Sequence, residues 1–194
     1  MSKVPSSPFN LIQFLRQNTS FSRRKLLDHI LNGEVQVNGQ KTTDSMYIVQ
    51  DNDLIKINHT VIRSTDFQYY IFHKPVGTIS TFNDPKGRRD LQWHLKQHRL
   101  PKTLKPCGRL DLDSSGLLLF SNDGNFINHV LHPSFSVPKE YHIKLHSPLR
   151  NEHKQQLSSG LFLDDGPVSM VFLETISPSE HIVKISIGRN RIIR

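Results

Sequence analysis

Along residues 1–60, apolar side chains recur first with the spacing of a helix and then with that of a strand. Leu11, Phe14 and Leu15 share one helical face, which predicts a helix over residues 10–18. A second helix is predicted over residues 22–33, because an apolar stripe lies there between residues suited to helix ends. The stripe comprises Leu26, Leu27, Ile30 and Leu31, with Ser22 as the N-cap and Gly33 as the C′ residue.

Strand-like alternation follows the second helix. Val35 and Val37 alternate with polar residues and lead into Asn38-Gly39, a dipeptide typical of two-residue hairpin turns. The segment DNDLIKIN, residues 51–58, predicts a further short strand. Two helices, a hairpin and a strand together predict a small self-contained domain over residues 1–62. The polar residues 63–68 predict a linker after it.

The remainder of the chain predicts mainly strands. Leu117–Phe120, an uninterrupted apolar run, is typical of a short buried strand. Elsewhere apolar residues alternate with polar ones, and Val183, Ile185 and Ile187 share one face. This mixture predicts an α+β fold in which residues 69–194 form one domain with a largely antiparallel sheet. Strands are predicted over residues 69–72, 116–120, 139–145 and 181–187, and helices over residues 90–98 and 121–131.

The chain is basic, and its charge is spread along it. Lys and Arg number 25 against 17 Asp and Glu, which gives a net charge of +8 at pH 7. Residues 1–60 carry seven Lys and Arg and five Asp and Glu, a net +2, so residues 61–194 carry the remaining +6. A surplus of this size indicates either a polyanionic partner such as nucleic acid or a surface charged for solubility.

Several classes of protein are disfavoured by what the chain lacks. Its longest apolar run has four or five residues, whereas crossing a bilayer takes roughly 20. The N-terminal residues lack the apolar segment of a secretory signal. Cys107 is the only cysteine, which excludes an internal disulfide and zinc sites built on cysteine pairs. The single cysteine fits a reducing cytosol, so we expect a cytoplasmic protein, and the short apolar runs predict no membrane partner. With no phosphate-binding glycine loop and no HExxH pair, we expect neither a nucleotide cofactor nor a metal.

The N-terminal pattern resembles the S4 RNA-binding domain. The resemblance rests on FLRQNTSFSRRKLLDHILNGEVQVNGQ, residues 14–40, followed by DNDLIKI. It implies that the second helix and the loop after it meet RNA phosphates. The alternative is a solvated, charged helix face, which is the usual fate of a run of charges. The candidates for RNA contact are Ser22, Arg23, Arg24 and Lys25.

Four further segments together resemble the RsuA/RluB branch of the pseudouridine synthases. In chain order they are HKPVGTIST (73–81), GRLDLDSSGLLLFSNDG (108–124), LHPSFSVPKEY (131–141) and GRNRIIR (188–194). The resemblance implies an isomerase that breaks the N1–C1′ bond of a uridine in RNA and rejoins the base through C5, without a cofactor. It also implies a monomer whose partner is ribosomal RNA. DPKGRRDL (84–91) and GRNR (188–191) favour the large subunit, and a tRNA target stays open.

The resemblance assigns the chemistry to three residues. Asp111, in the GRLD segment, is implied as the catalytic carboxylate, and it acts either as a nucleophile at C1′ or as a base toward the 2′-proton. Arg194 is implied as the cation that keeps Asp111 ionised. Tyr141 is implied as the platform for a flipped base, with a phenol that helps to remove the C5 proton. Because Tyr141 shares a face with Ile143, it is also interpreted as a core residue at the edge of the core.

Three other positions are interpreted from the same motifs. Arg109 is expected to engage RNA or the flipped nucleotide, with a surface ion pair as the alternative. Lys74 is counted among the substrate- and RNA-binding residues, although the turn after it is expected to support the active-site loop. Asp113 is interpreted as structural.

The chain departs from the family pattern in three places. Ser114 replaces a threonine and Ile192 replaces a glutamine. The chain ends at Arg194, where members of the family usually continue, so a truncated C-terminus is expected. The alternative function is therefore a non-catalytic protein that binds ribosomal RNA and descends from this family by truncation.

Overall fold

The structure, a computed structural model, describes residues 9–163, 166–186 and 192–193. The chain divides into two compact units, residues 1–127 and residues 128–194. In the described segments, no helix combines the length and the apolar character needed to cross a bilayer. The division into a domain of residues 1–62, a linker of residues 63–68 and a domain of residues 69–194 stays a prediction.

The first unit opens with two helices packed against a four-stranded antiparallel sheet of strand order β2-β1-β3-β4. Apolar side chains from both helices and from β1 and β3 form one core. The elements are α1 (Leu11–Asn18), α2 (Arg23–Leu31), β1 (Val35–Val37), β2 (Gln40–Lys41), β3 (Ile55–Ile57) and β4 (Thr60–Ile62).

The ends of these elements follow the sequence signals. The Ser22 side chain accepts a hydrogen bond from the backbone N–H of Lys25, 3.2 Å away, so the predicted N-cap is confirmed. Gly33 has φ +67°, in the left-handed region that favours glycine at the end of a helix. Leu31 was predicted on the apolar stripe, but it is 67% exposed. It follows Ile30 by one residue, or about 100° around the helix, and so turns away from the core.

Residues 63–68 form no helix or strand, and they are hydrogen-bonded to both flanking regions. From α1, Gln17 donates to the carbonyl oxygen of Thr65, and the Asn18 side chain accepts from the Thr65 N–H. From the region after the segment, the Asn122 side chain accepts from the Gln68 N–H. The segment predicted as a linker is therefore anchored at both ends.

The rest of the first unit contains a three-stranded sheet of order β5-β7-β6. Lys74, at the end of β5, pairs with Gly116, at the start of β7. Only one face of β7 is buried, since Leu118 and Phe120 lie in the core while Leu117 is 64% exposed. The prediction of a wholly buried strand is therefore wrong for Leu117. The elements are β5 (Tyr69–Lys74), α3 (Leu91–Gln97), β6 (Lys105–Pro106), β7 (Gly116–Ser121) and α4 (Gly124–Leu131), the last of which continues into the second unit.

The second unit is built on a three-stranded antiparallel sheet of order β11-β12-β8, with a separate two-stranded sheet. Val183 and Ile185 of β12 are both buried, in agreement with the predicted shared face, and Ile187 lies outside the described residues. Helices and antiparallel strands together confirm the α+β class. The elements are β8 (Lys139–Lys144), α5 (Asn151–Ser159), β9 (Leu161–Leu163), β10 (Gly166–Val168), β11 (Val171–Ser177) and β12 (Glu180–Ile185).

Candidate active site

The loop between β6 and β7 carries Asp111, and a buried ammonium group holds its backbone. Lys74 Nζ donates to the carbonyl oxygens of Asp111 at 2.9 Å and Ser114 at 2.7 Å. It also donates to the carbonyl oxygen of Pro75 at 3.1 Å. The pairing of β5 with β7 explains this arrangement, because Lys74 lies opposite Gly116, just after the Asp111 loop.

The environment of Lys74 defines its role. Its side chain is fully buried, and burial lowers the pKa of the ammonium while the carboxylates of Asp111 and Asp113 oppose that shift. Three carbonyl acceptors use the three donors of an ammonium group. The position therefore favours a supporting role for Lys74 over the RNA contact expected from the sequence.

The turn after β5 is hydrogen-bonded to the same loop at two more places. Ser80 Oγ donates to the carbonyl oxygen of Leu110 at 2.6 Å and accepts from the Leu110 N–H at 3.1 Å. The Gly77 N–H donates to the carbonyl oxygen of Leu112 at 2.8 Å, and Gly77 has φ +81°, which favours glycine. The backbone on both sides of Asp111 is thus fixed. Its side chain is half-buried.

The turn is itself supported by α3. Thr78 and His94 are both buried, and Thr78 Oγ1 lies 2.9 Å from His94 Nε2. Burial lowers the pKa of His94, with the charge of Arg89 as a smaller cause in the same direction. His94 is therefore neutral at pH 7. Together, Thr78 and His94 connect the helix to the turn that holds the Asp111 loop.

The sequence did not single out Thr78, Ser80 or His94 as site residues. The only sequence signal was the presence of Thr78 and Ser80 within the first motif, HKPVGTIST. His94 gave no signal, because a lone histidine on a helix is compatible with many roles. Their supporting role becomes evident only from the hydrogen bonds that connect α3, the turn and the Asp111 loop.

Other predicted residues of the first unit lie on its surface. Arg109, directly before the Asp111 turn, is exposed. Ser22, Arg23, Arg24 and Lys25 are all exposed at the start of α2, beside a shallow pocket of about 370 Å³. Lys25 Nζ lies 5.0 Å from the centre of the Phe21 ring. This end of α2 is therefore accessible to a ligand. In the described ranges, no three His, Cys, Asp or Glu side chains cluster so as to hold a metal ion.

Tyr141 belongs to the second unit, where it lies on β8 opposite Val183. It is half-buried and packs against the core of Met170, Val183 and Ile185, as expected for a tyrosine at the edge of the core. Burial raises the pKa of its phenol above 10.0. Burial thus stabilises the protonated phenol, and the packing of the ring against the core suits a stacking role.

Arg194, the predicted charge partner of Asp111, lies outside the described residues, as does most of GRNRIIR. Of that motif, Ile192 and Ile193 are described, and both pack against the core of the second unit. The structure thus brings together the first two motifs, in the contacts between residues 74–80 and 110–114.

Comparison with known proteins gives a consistent result. Residues 68–194 match the family described as RNA pseudouridylate synthase. Residues 1–72 match the C-terminal domain of the SYY-like tyrosine–tRNA ligases. The crystal structure of a pseudouridylate synthase has a TM-score of 0.62 with this structure and 21% sequence identity, and it covers 95% of this chain and 80% of its own. At this identity the likeness concerns the fold.

Individual relatives extend the match over most of the chain. The ribosomal large subunit pseudouridine synthase B of Bacillus subtilis is 34% identical over 179 residues, which cover 89% of this chain and 72% of that protein. The protein of the same name from Pseudomonas aeruginosa is 31% identical over 89% of this chain and 47% of its own length. Residues 68–194 match the family model, and the Bacillus subtilis protein is 34% identical to this chain. The chain therefore belongs to the RNA pseudouridylate synthase family.

Proposed function

We propose that the chain isomerises a uridine of ribosomal RNA to pseudouridine, with the large subunit as its substrate. The names of the relatives from Bacillus subtilis and Pseudomonas aeruginosa support the substrate. The observation that carries the proposal is the fixed backbone of Asp111, whose loop is held by Lys74 and Ser80. A carboxylate on a rigid loop is suited to a reaction in which positive charge develops at a sugar carbon.

The reaction balances without a cofactor. The N1–C1′ bond breaks, the base turns, and a C5–C1′ bond forms; C5 loses a proton, and N1 gains one. Asp111 stabilises the sugar either by bonding to C1′ or by taking the 2′-proton, and both routes need its ionised form. We propose Arg194 as the cation that preserves this form.

A uridine inside folded RNA must leave its stack before a side chain can reach C1′. We propose that the Tyr141 ring stacks on the extruded base and that Arg109 contacts the nucleotide beside it. The half-buried, protonated Tyr141 supports the first role, since a ring fixed against a core makes a rigid platform. The exposure of Arg109 next to the Asp111 turn supports the second.

The start of α2 is proposed as an RNA-binding surface of an S4-like domain. The exposure of Ser22, Arg23, Arg24 and Lys25 supports this role, as does the match of residues 1–72 to a domain of a tRNA ligase. Replacing Arg23 and Arg24 by glutamine should weaken RNA binding and reduce its logarithmic salt slope by about 1.5, since two phosphate contacts are lost. The control variant, Lys41→Gln with Arg63→Gln, removes the same charge from exposed positions elsewhere. Equal slopes for the two variants would rule out the α2 surface.

The activity itself is tested by mapping pseudouridines. Large-subunit ribosomal RNA that lacks the modification is incubated with the chain, treated with a carbodiimide, and read by primer extension. We expect one new stop at a uridine. RNA that is bound but acquires no stop would contradict the proposed activity and favour the non-catalytic RNA-binding alternative.

A further inference from the structure

Exposed cations cluster around α3 and the turn after it. Residues 84–105 contain seven Lys and Arg against two Asp, a net +5. Arg88 pairs with Asp84, and Lys105 is largely buried and donates to the carbonyl oxygen of Arg16. The exposed cations that remain are Lys86, Arg89, Lys96, Arg99 and Lys102. The buried side of the helix carries Leu91, His94 and Leu95, so the opposite side faces solvent. We name this region the α3 surface and define it by Phe82, Arg89, Trp93, Lys96, Arg99, Leu100 and Lys102.

A pocket of about 270 Å³ lies in the α3 surface. Phe82, Leu95 and Leu100 supply its apolar lining, while Lys96, Arg99 and Lys102 line it from exposed positions. This volume is just below the roughly 300 Å³ at which pockets for drug-sized ligands begin. An aromatic and aliphatic floor with cations around it suits one flat base that is attached to phosphates.

An exposed aromatic side chain continues the surface beyond the pocket. Trp93 is 40% exposed, although it is large and apolar. The Arg89 guanidinium lies 4.5 Å from the centre of its ring, and Lys96 follows Trp93 by one helical turn. An indole flanked by cations presents both a stacking face and phosphate partners, which are the two elements used to bind single-stranded nucleic acid.

We propose that the α3 surface binds an unpaired segment of the RNA substrate, with one base in the pocket and adjacent phosphates on Lys96, Arg99 and Lys102. The inference rests on the proposed function for the identity of the RNA. Charge complementarity favours a polyanion, and the aromatic and apolar lining favours one that carries flat bases over an acidic peptide. None of the residues that define this surface belongs to the start of α2 or to the Asp111 loop.

Helix α3 connects this surface to the turn that supports the Asp111 loop. The same helix that bears Trp93 and Lys96 outside holds Thr78 through His94 on its buried side. RNA bound on α3 is therefore attached to the element that supports the turn beneath Asp111. Binding there orients the RNA relative to the loop that carries the carboxylate.

The test compares two variants of equal charge. The first carries Lys96→Gln, Arg99→Gln and Lys102→Gln. The control carries Lys41→Gln, Lys56→Gln and Arg63→Gln, which lie in or after the N-terminal sheet. Binding of a large-subunit ribosomal RNA fragment is measured over a range of salt concentrations. We expect the first variant to lose about 2 from the logarithmic salt slope, since each single-strand phosphate contact contributes about 0.7, and the control to lose less than half of that.

Trp93 provides a second readout, because it is the only tryptophan of the chain. We expect the RNA fragment to quench its fluorescence with the wild-type chain and with the control, and to quench it much less with the first variant. Equal salt slopes and equal quenching for both variants would overturn the proposal. Quenching by poly-glutamate without any response to RNA would also overturn it, in favour of an acidic protein partner.

Pseudouridine formation by the wild-type chain is measured in parallel, so that the two proposals fail separately. An active chain whose α3 variant matches the control retains the proposed function and refutes the α3 surface. An inactive chain whose Trp93 still reports RNA, and whose α3 variant loses the salt slope, refutes the function and retains the surface.

Discussion

Lys74 holds the backbone of Asp111, with its Nζ 2.9 Å from the Asp111 carbonyl oxygen. The two residues come from different motifs, and the antiparallel pairing of β5 with β7 brings them together. The cation acts on the peptide backbone, so the carboxylate of Asp111 is left for chemistry. We infer that the first motif positions the catalytic loop and does not itself touch the substrate.

Replacing Lys74 by methionine should lower both stability and turnover. Three carbonyl oxygens would lose their donor, and removal of the buried charge would offset part of that loss. We expect the free energy of unfolding to fall by about 2 kcal/mol, as measured by urea denaturation, together with a marked loss of kcat. His73→Gln, at the exposed neighbouring position, is the control. A Lys74→Met chain with wild-type stability and kcat would show that the ammonium does not position the loop.

Ser80→Ala removes both hydrogen bonds between the hydroxyl and Leu110. We expect kcat to fall while KM for RNA stays nearly constant, because Ser80 positions the Asp111 loop without touching the RNA. The cost in stability should be about 1 kcal/mol. Ser80→Thr retains a hydroxyl and should recover part of kcat. A raised KM with an unchanged kcat would instead assign Ser80 to RNA binding.

His94 should make stability depend on pH. Burial lowers its pKa in the folded chain below the ordinary value of 6.5. Above pH 6.5 both the folded and the unfolded states are neutral at His94. Below it the unfolded chain takes up a proton first, so stability is lost as the pH falls toward the folded pKa. His94→Gln can still hydrogen-bond to Thr78 but cannot titrate.

We therefore expect the free energy of unfolding of the wild-type chain to fall more steeply between pH 7 and pH 5 than that of His94→Gln. Urea denaturation at several pH values measures both curves. Parallel curves would show that His94 does not contribute to the pH dependence.

Tyr141→Phe should fold normally and keep much of the activity, because it retains the ring that packs against the core of the second unit. Tyr141→Leu should lose most of kcat through loss of the stacking surface. Since burial raises the pKa of the phenol above 10.0, the pH–rate profiles of Tyr141→Phe and the wild-type chain should have the same shape up to pH 9. A basic limb that disappears in Tyr141→Phe would identify the phenol as a titrating catalytic group.

Local signals predicted most elements of the fold, and tertiary contacts decided the exceptions. The Ser22 cap and the Asn38-Gly39 turn depend on a few neighbouring residues, so they were readable from the chain. Helix α5 is not predicted by the sequence, because Leu157 is the only large apolar residue in NEHKQQLSS and so no apolar stripe is visible. The apolar run predicts burial for Leu117 as well, because such a run does not reveal whether the second face of a sheet is covered.

For the site, the motif identified Asp111 but not what holds it. A lysine is usually a surface residue, and only the register of Lys74 opposite Gly116 reveals a buried ammonium with three carbonyl partners. The hydrogen bonds between Ser80 and Leu110 likewise join residues that are 30 positions apart. Such contacts depend on the fold and could not be read from spacing along the chain.

The most direct measurement compares Asp111→Asn with Asp113→Asn in pseudouridine formation on large-subunit ribosomal RNA. Both variants remove one carboxylate from the same loop, and both can be checked for unchanged RNA affinity. We expect Asp111→Asn to form no detectable product and Asp113→Asn to retain most of the wild-type rate. Product formed by Asp111→Asn at a rate near that of the wild-type chain would contradict the assignment of Asp111 as the catalytic carboxylate.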